Sequence, residues 1–381
     1  MKNEDLPPTV LAQTLSTSTE EAKSSDSQGN LRRRSFLKGI GMTGVALSAG
    51  ALFAGGAEAE TDESPLKSLT PGDAAILRFL AAAELLETDL WQQYAELGGL
   101  TSGKQNPYQK AFQRLDGDGS QYITSNTLDE LSHAEFLNDY LISKGAEPVD
   151  LDAFRTLPSS QAHGAQNIGR LTNLMDNTVD TSWFIRYRST DNPDMGATFP
   201  QAIDLVNLPL IPRTDADFSP RDHIQAIANT AAFHFGMIEQ GGSSLYSAMA
   251  QKAHDVEVLR IVISIGGDEV AHFLEWVDFA GNGVQPPIAP FTDPTNGLTF
   301  PNFNATHNPL LQTNLIFPIP CAFINPNLTR CAVIRPTKPQ GIAMGVVNFL
   351  TGTGLFLGQS PEFFKTITAL AKHADAARRG F

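Results

Sequence analysis

The sequence predicts an all-α protein: a four-helix bundle with a long crossover between its second and third helices and an irregular C-terminal extension. Three observations carry that prediction. Four stretches, about 73–97, 125–144, 221–250 and 255–279, place apolar residues at helical spacing. A Glu-x-x-His pattern occurs twice, as Glu130 to His133 in the second stretch and Glu269 to His272 in the fourth. Between the second and third stretches lie residues 146–220, rich in Pro, Asn, Asp and Thr. A crossover of that length lets those two helices run parallel.

The first helix is expected over about 73–97, on a stripe of Ile76, Leu77, Leu80, Ala83, Leu90, Trp91 and Tyr94, and Gly98-Gly99 stops it. Glu84 and Glu87 interrupt this stripe on the side that should be buried. The following Asp116-Gly-Asp118-Gly-Ser120 is not a calcium loop, because Gln121 and Thr127 stand where the loop needs glycine and glutamate, so it reads as a polar turn. The second helix, about 125–144, carries Leu128, Leu131, Phe136, Leu137 and Leu141 beside Glu130 and His133 and stops at Gly145. Within the crossover a short helix is expected near Gln161–Asn177, followed by an aromatic patch from Trp183 to Tyr187.

The third helix, about 221–250, contains Phe233, Phe235, Ile238, Glu239, Leu245 and Tyr246. Gly241-Gly242 inside it costs about 1 kcal/mol per glycine relative to Ala, which a bulge or a close helix approach would explain. The fourth, about 255–279, has Gly266-Gly267 just before Asp268-Glu269. Together these helices define a bundle domain over 73–281. Residues 282–381 form a cap: Pro/Asn-rich up to 340, apolar over 341–358, then a final helix opened by Ser360-Pro361-Glu362.

The N-terminus lies outside this fold. Residues 1–30 are polar and without periodicity, the composition of a disordered segment. Arg32-Arg33-Arg34-Ser35-Phe36-Leu37-Lys38 follows, then a Gly/Ala-rich run to Phe53 and an Ala57-Glu58-Ala59 cleavage signal. This resembles a twin-arginine export leader over 1–59. The resemblance implies the twin-arginine translocase as a partner, a periplasmic or extracellular destination, and passage of an already folded chain. A linker, 60–72, joins leader and bundle. The run at 39–53 is short for a spanning helix, which needs about 20 apolar residues, and the apolar stretch 341–358 holds Asn348 and several glycines and reads as a buried segment, so no stable membrane insertion of the mature chain is expected. A net charge of −14 argues against nucleic acid and anionic membrane as partners. The two cysteines, Cys321 and Cys331, are candidates for a disulfide in an exported protein and lack the companions of a metal site.

Residues three apart on a helix share a face, so each Glu-x-x-His brings a carboxylate and an imidazole to one point. Superposing the halves adds a lone glutamate to each. Glu239 stands seven residues before Tyr246, and Glu87 seven before Tyr94. Matching tyrosine to tyrosine pairs Glu87 with Glu239 and makes Glu84 the alternative on the first helix. The set is then Glu87, Glu130, His133, Glu239, Glu269 and His272. Tyr94, Tyr246 and Trp91 are candidates for a supporting role, as electron donors or hydrogen-bond partners of the set. His223, His234, His254 and His373 have no partner pattern, and no phosphate loop, nucleophile elbow or Cys/His nucleophile pair is present.

Over about 73–145 and 221–281 this pattern resembles the ferritin-like di-iron carboxylate proteins. With the leader and Ala83-Glu84-Leu85-Leu86-Glu87, it resembles more narrowly the exported ferritin-like domain proteins related to plant desiccation proteins. The resemblance implies that Glu130 and Glu269 bridge two metals, that Glu87 and Glu239 are terminal carboxylates, and that each metal takes one histidine. Four carboxylates neutralise two divalent ions, and a carboxylate–imidazole set suits iron or manganese, alone or mixed. The expected function is an exported di-metal protein that handles dioxygen or peroxide, or oxidises iron, in envelope stress protection. Its competitor is a non-catalytic, desiccation-related structural or metal-holding protein. Either is compatible with an oligomer.

Overall fold

A computed structural model describes residues 68–100, 106–187, 200–311, 318–319, 324–332 and 338–380. The predicted leader, most of the linker and Cys321 lie outside the described residues, while Cys331 is exposed with a free thiol. The architecture is all-α with a few two-residue to four-residue strands. No described helix is long and apolar enough to cross a membrane.

Helix α1, Pro71–Gly98, opens on Thr70, whose hydroxyl accepts from the Asp73 amide at 3.0 Å, with proline in the first position where its missing N–H costs nothing. A helix absent from the sequence reading follows: α2, Pro107–Leu115, capped by Asn106 and burying Tyr108 and Phe112. Helix α3 is Gly119–Ser143, starting well before residue 125. The Ser/Thr/Asn run at 124–127 reads as a cap, yet the hydroxyls of Thr124 and Thr127 bond back to the carbonyls of Ser120 and Ile123, so the helix passes through them. Helix α5 is Arg221–Ala250 and α6 is Val256–Asn282; α4, between them and α3, is the single turn Trp183–Arg186.

Helices α1 and α3 pack as one pair and α5 and α6 as another. The pairs meet over a core in which Trp91 stacks on Trp276, with Phe235 against both. Asp73 ties the starts of α1 and α6 together by accepting from the amides of His254 and Asp255.

The crossover contains no helix at 161–177. It runs as turns pinned by buried polar groups of α1, and its Gly164, Asn167, Gly169 and Asn173 favour turns over a helical ladder. Asp89 accepts from the amides of Leu171 and Thr172, from the Thr172 hydroxyl and from Arg155, and Arg170 meets Glu96 at 2.5 Å. Strands β1, Asn177–Val179, and β2, Leu205–Leu208, pair antiparallel. In α4, Trp183 inserts its indole against Gly236 of α5, where a Cβ would overlap the ring, and donates to the Phe233 carbonyl at 3.0 Å.

The extension adds the antiparallel pairs β3 (Phe291–Thr292) with β4 (Thr299–Phe300) and β5 (Pro318–Ile319) with β6 (Cys331–Ala332), then helices α7, Ile342–Gly352, and α8, Pro361–Ala376. The apolar segment at 341–358 is therefore largely α7. Helix α8 packs on α1 and on α7, and α7 on α5. The Asp375 carboxylate accepts from the amides of Ala343 and Met344, closing the N-terminus of α7, and lies 3.5 Å from Lys252 Nζ.

Candidate metal centre

Each long helix turns a polar residue into the apolar interior. From α1 comes Glu84; from α3, Asn126, Glu130 and His133, spaced to share one face; from α5, Glu239; from α6, Glu269 and His272. The four glutamates are 0% exposed. Their ligand atoms gather in two groups, Glu84, Glu130, His133 and Glu269 in one and Glu130, Glu239 and His272 in the other, with atoms in each group within 4.8 Å of one another. Glu130 belongs to both. Its Oε2 is 3.3 Å from Nδ1 of His133 and its Oε1 is 3.2 Å from Nδ1 of His272.

Glu84, the alternative on the first helix, lies in the first group, while Glu87 belongs to neither, although it stands close enough for burial and the charges of Glu130, Glu84 and Glu239 to act on it. In each helix pair one lone glutamate faces that pair's own histidine, Glu84 at 3.4 Å from His133 Nδ1 and Glu239 at 3.5 Å from His272 Nδ1, and matching these two glutamates aligns Trp91, not Tyr94, with Tyr246. That register differs by three from the one in which the tyrosines match, and in it Glu87 falls on Gly242. A Cβ on Gly242 would overlap the Glu269 carboxylate, so the glycine is the close approach that lets that side chain in. Helix α5 runs through Gly241-Gly242 without a break.

The supporting contacts were only partly legible. Asp268 Oδ2 lies 3.2 Å from His133 Nε2, and Asp129 Oδ2 lies 3.4 Å from His272 Nε2, each reaching across to the other helix pair. The doubled Asp-Glu-x-x-His was their signal. Asn126 donates to Glu130 at 2.8 Å and to Glu239 at 3.3 Å, while its oxygen accepts from Trp276 Nε1 at 2.8 Å. Indole is a donor only, so the tryptophan fixes which end of the amide faces the glutamates. Tyr246 donates to Glu84. Of the other supporting candidates, Tyr94 pairs with Nδ1 of His234 at 2.9 Å, and Trp91 stacks at 5.2 Å on Trp276, the indole that holds Asn126.

Burial raises the Glu84 carboxyl to about 7, with Glu130 adding to the rise and His133 opposing it. Burial and the neighbouring glutamates lift Glu87 and Glu269 well above the carboxylate range. Burial alone would lower His133, but bonds to Glu130 and Glu84 outweigh it and raise the ring to about 10; His272 is likewise raised, by Glu239, Asp129 and Glu130 against its burial. His234, by contrast, is lowered to about 3 by burial and stays neutral. The centre thus holds protons wherever no other cation is present.

Protons alone leave it incompletely satisfied. Glu84 Oε2, Glu239 Oε2, both Glu269 oxygens and both ring nitrogens of His272 are buried with no partner in hydrogen-bonding geometry. Each such group costs about 1–3 kcal/mol, more when charged. Convergent orphan carboxylates with an imidazole lone pair are what a pair of divalent cations would satisfy, and the donor set is hard oxygen plus borderline nitrogen without sulfur. The residues fit two ions.

A family model described as ferritin-like domain matches residues 72–276, more than half of the 381 residues and all four ligand-bearing helices. No curated protein and no solved structure matches the chain.

Proposed function

Because this chain belongs to the ferritin-like domain family, we propose that it is an exported di-metal protein whose centre is held by Glu84, Glu130, His133, Glu239, Glu269 and His272. Iron is the metal proposed, with manganese or a mixed pair as the alternative the same donors accommodate. The observation that carries the reading is the convergence of four fully buried carboxylates and two imidazoles, several of their atoms unpaired, from four different helices. When bound, such a pair of ions would supply redox equivalents and a binding place for dioxygen or peroxide.

The chain's own residues have definable tasks. Asp268, 3.2 Å from Nε2 of His133, favours a proton on that nitrogen and leaves Nδ1 to the carboxylates, and the Asp129 carboxylate, 3.4 Å from Nε2 of His272, biases that ring the same way by its charge. Asn126 fixes the rotamers of Glu130 and Glu239, and Tyr246 that of Glu84. The Trp91–Trp276 stack beside Asn126 keeps water from competing for the ligands. We further propose that the twin-arginine leader delivers the folded, loaded chain to the periplasm or beyond, where it consumes oxidant or oxidises Fe(II) in envelope stress protection.

Metal analysis of the natively exported protein tests this directly. Two ions per chain are expected, and a Glu130→Ala/His272→Ala variant should hold fewer than one. Less than about one ion in the native protein overturns the reading. With two bound, consumption of dioxygen or peroxide in the presence of Fe(II) separates an enzyme from a passive holder.

A further inference from the structure

One cavity borders the centre without belonging to it. It lies between α1, α5 and the extension, lined by Leu86, Ile238, Leu245, Val346, Leu350 and Phe356, with Glu87 its single charged residue. Its volume is about 40 Å³, against the roughly 10–15 Å³ that one water needs. A buried water also needs two to four polar partners, and these aliphatic walls offer almost none, so the cavity favours a dry occupant. An aromatic ring is too large, since benzene was accommodated in an engineered apolar cavity of roughly 150 Å³. What remains is a molecule of a few atoms with no hydrogen-bonding demand.

The position of the cavity gives that occupant a destination. Gly242 lines it on one side, and on the other the same glycine is so close to the Glu269 carboxylate that a Cβ would collide with it. Only a bare backbone methylene separates apolar space from a ligand of the proposed centre. Glu87, one turn from Glu84, stands on the same wall. The roof is made by α7, from outside the segment matched by the ferritin-like family, through Val346 and Leu350.

We propose that this cavity is a gas-binding antechamber, which holds a small apolar molecule of the dioxygen class and opens toward the centre at Gly242. It rests on the di-metal reading for its purpose but not for its existence. The extension then acts as the wall that makes the antechamber, and Val346 and Leu350 set its size.

Xenon is a probe of matching character that needs no metal. Crystals of the full chain under xenon pressure, metal-free and metal-loaded, should both show a xenon atom in contact with Val346, Leu245 and Gly242. Val346→Phe, or Leu350→Phe if the first does not fold, should abolish that site while leaving two ions bound. In the same variants, oxidation of bound Fe(II) by dioxygen should slow at least several-fold. No xenon at this site, or xenon retained in a folded variant, overturns the antechamber. Xenon present in a protein that binds no metal would leave the antechamber standing and remove the di-metal reading, so the two failures are distinguishable.

Discussion

The carboxylate of Asp268 on α6 lies 3.2 Å from Nε2 of His133 on α3, and Asp129 on α3 answers with His272 on α6. On the di-metal reading each Asp-Glu-x-x-His would therefore supply a ligand pair to its own side and a carboxylate to the histidine of the opposite one. Asp268→Ala should weaken metal binding roughly 10–100-fold, the usual effect of losing a partner to a ligating histidine. Asp129→Ala should do the same at the other side. Competition titration with Mn(II) or Fe(II) measures both, and unchanged affinity in a folded variant would show these carboxylates to be idle.

Exchanging the neighbouring glutamates separates the two readings of the first helix. Glu84→Gln should lower bound metal by about one ion per chain, because it removes a donor from the group around His133. Glu87→Gln should leave two. Elemental analysis decides between them, and the reverse outcome restores Glu87 as the ligand.

The proton-laden centre gives the metal-free protein an inverted pH profile. Glu84 moves from 4.5 to about 7 on folding and His133 from 6.5 to about 10, so the folded state binds more protons than the unfolded one. Their stabilisation is complete below 4.5 and 6.5 respectively, and is lost as pH rises through about 7 and about 10. The Tm of metal-free protein should thus fall from pH 5 to pH 8. Metal must displace those protons, so affinity should climb across the same window by about tenfold or more per pH unit. The Tm difference between loaded and metal-free protein should widen accordingly in scanning calorimetry, and a constant difference contradicts the protonation described.

Trp183 anchors the crossover on Gly236, where its indole occupies the place of a side chain. Trp183→Ala should cost about 3–5 kcal/mol through the cavity it leaves. Chemical denaturation of the loaded protein measures this. A loss below about 1 kcal/mol would mean that the crossover is held by its Asp89 and Glu96 contacts alone.

The four long helices and their inward carboxylates were legible because they rest on local rules: 3.6-residue periodicity, glycine stops and the i, i+3 face. The rest depends on contacts between distant segments. The early start of α3 escaped because Thr124 and Thr127 satisfy their hydroxyls inside the helix. The crossover was misread near 161–177 because its backbone is organised by Asp89 and Glu96 on another helix. The order of Glu87 and Glu84 rested on two tyrosines matched by type, whereas the space beside Glu269 is set by Gly242. The cavity under α7 has no signature within any one segment.

The two ligand groups are unequal: Glu84, Glu130, His133 and Glu269 gather on one side, and only Glu130, Glu239 and His272 on the other. On the di-metal reading the pair of ions is then filled in order. The side with four donors takes the first ion at low supply, and it uses the shared Glu130 in doing so. That leaves the second to a poorer set and a higher threshold. On that reading a chain carrying one ion would be a distinct species over a range of metal concentrations, with one of its two halves occupied and the other empty.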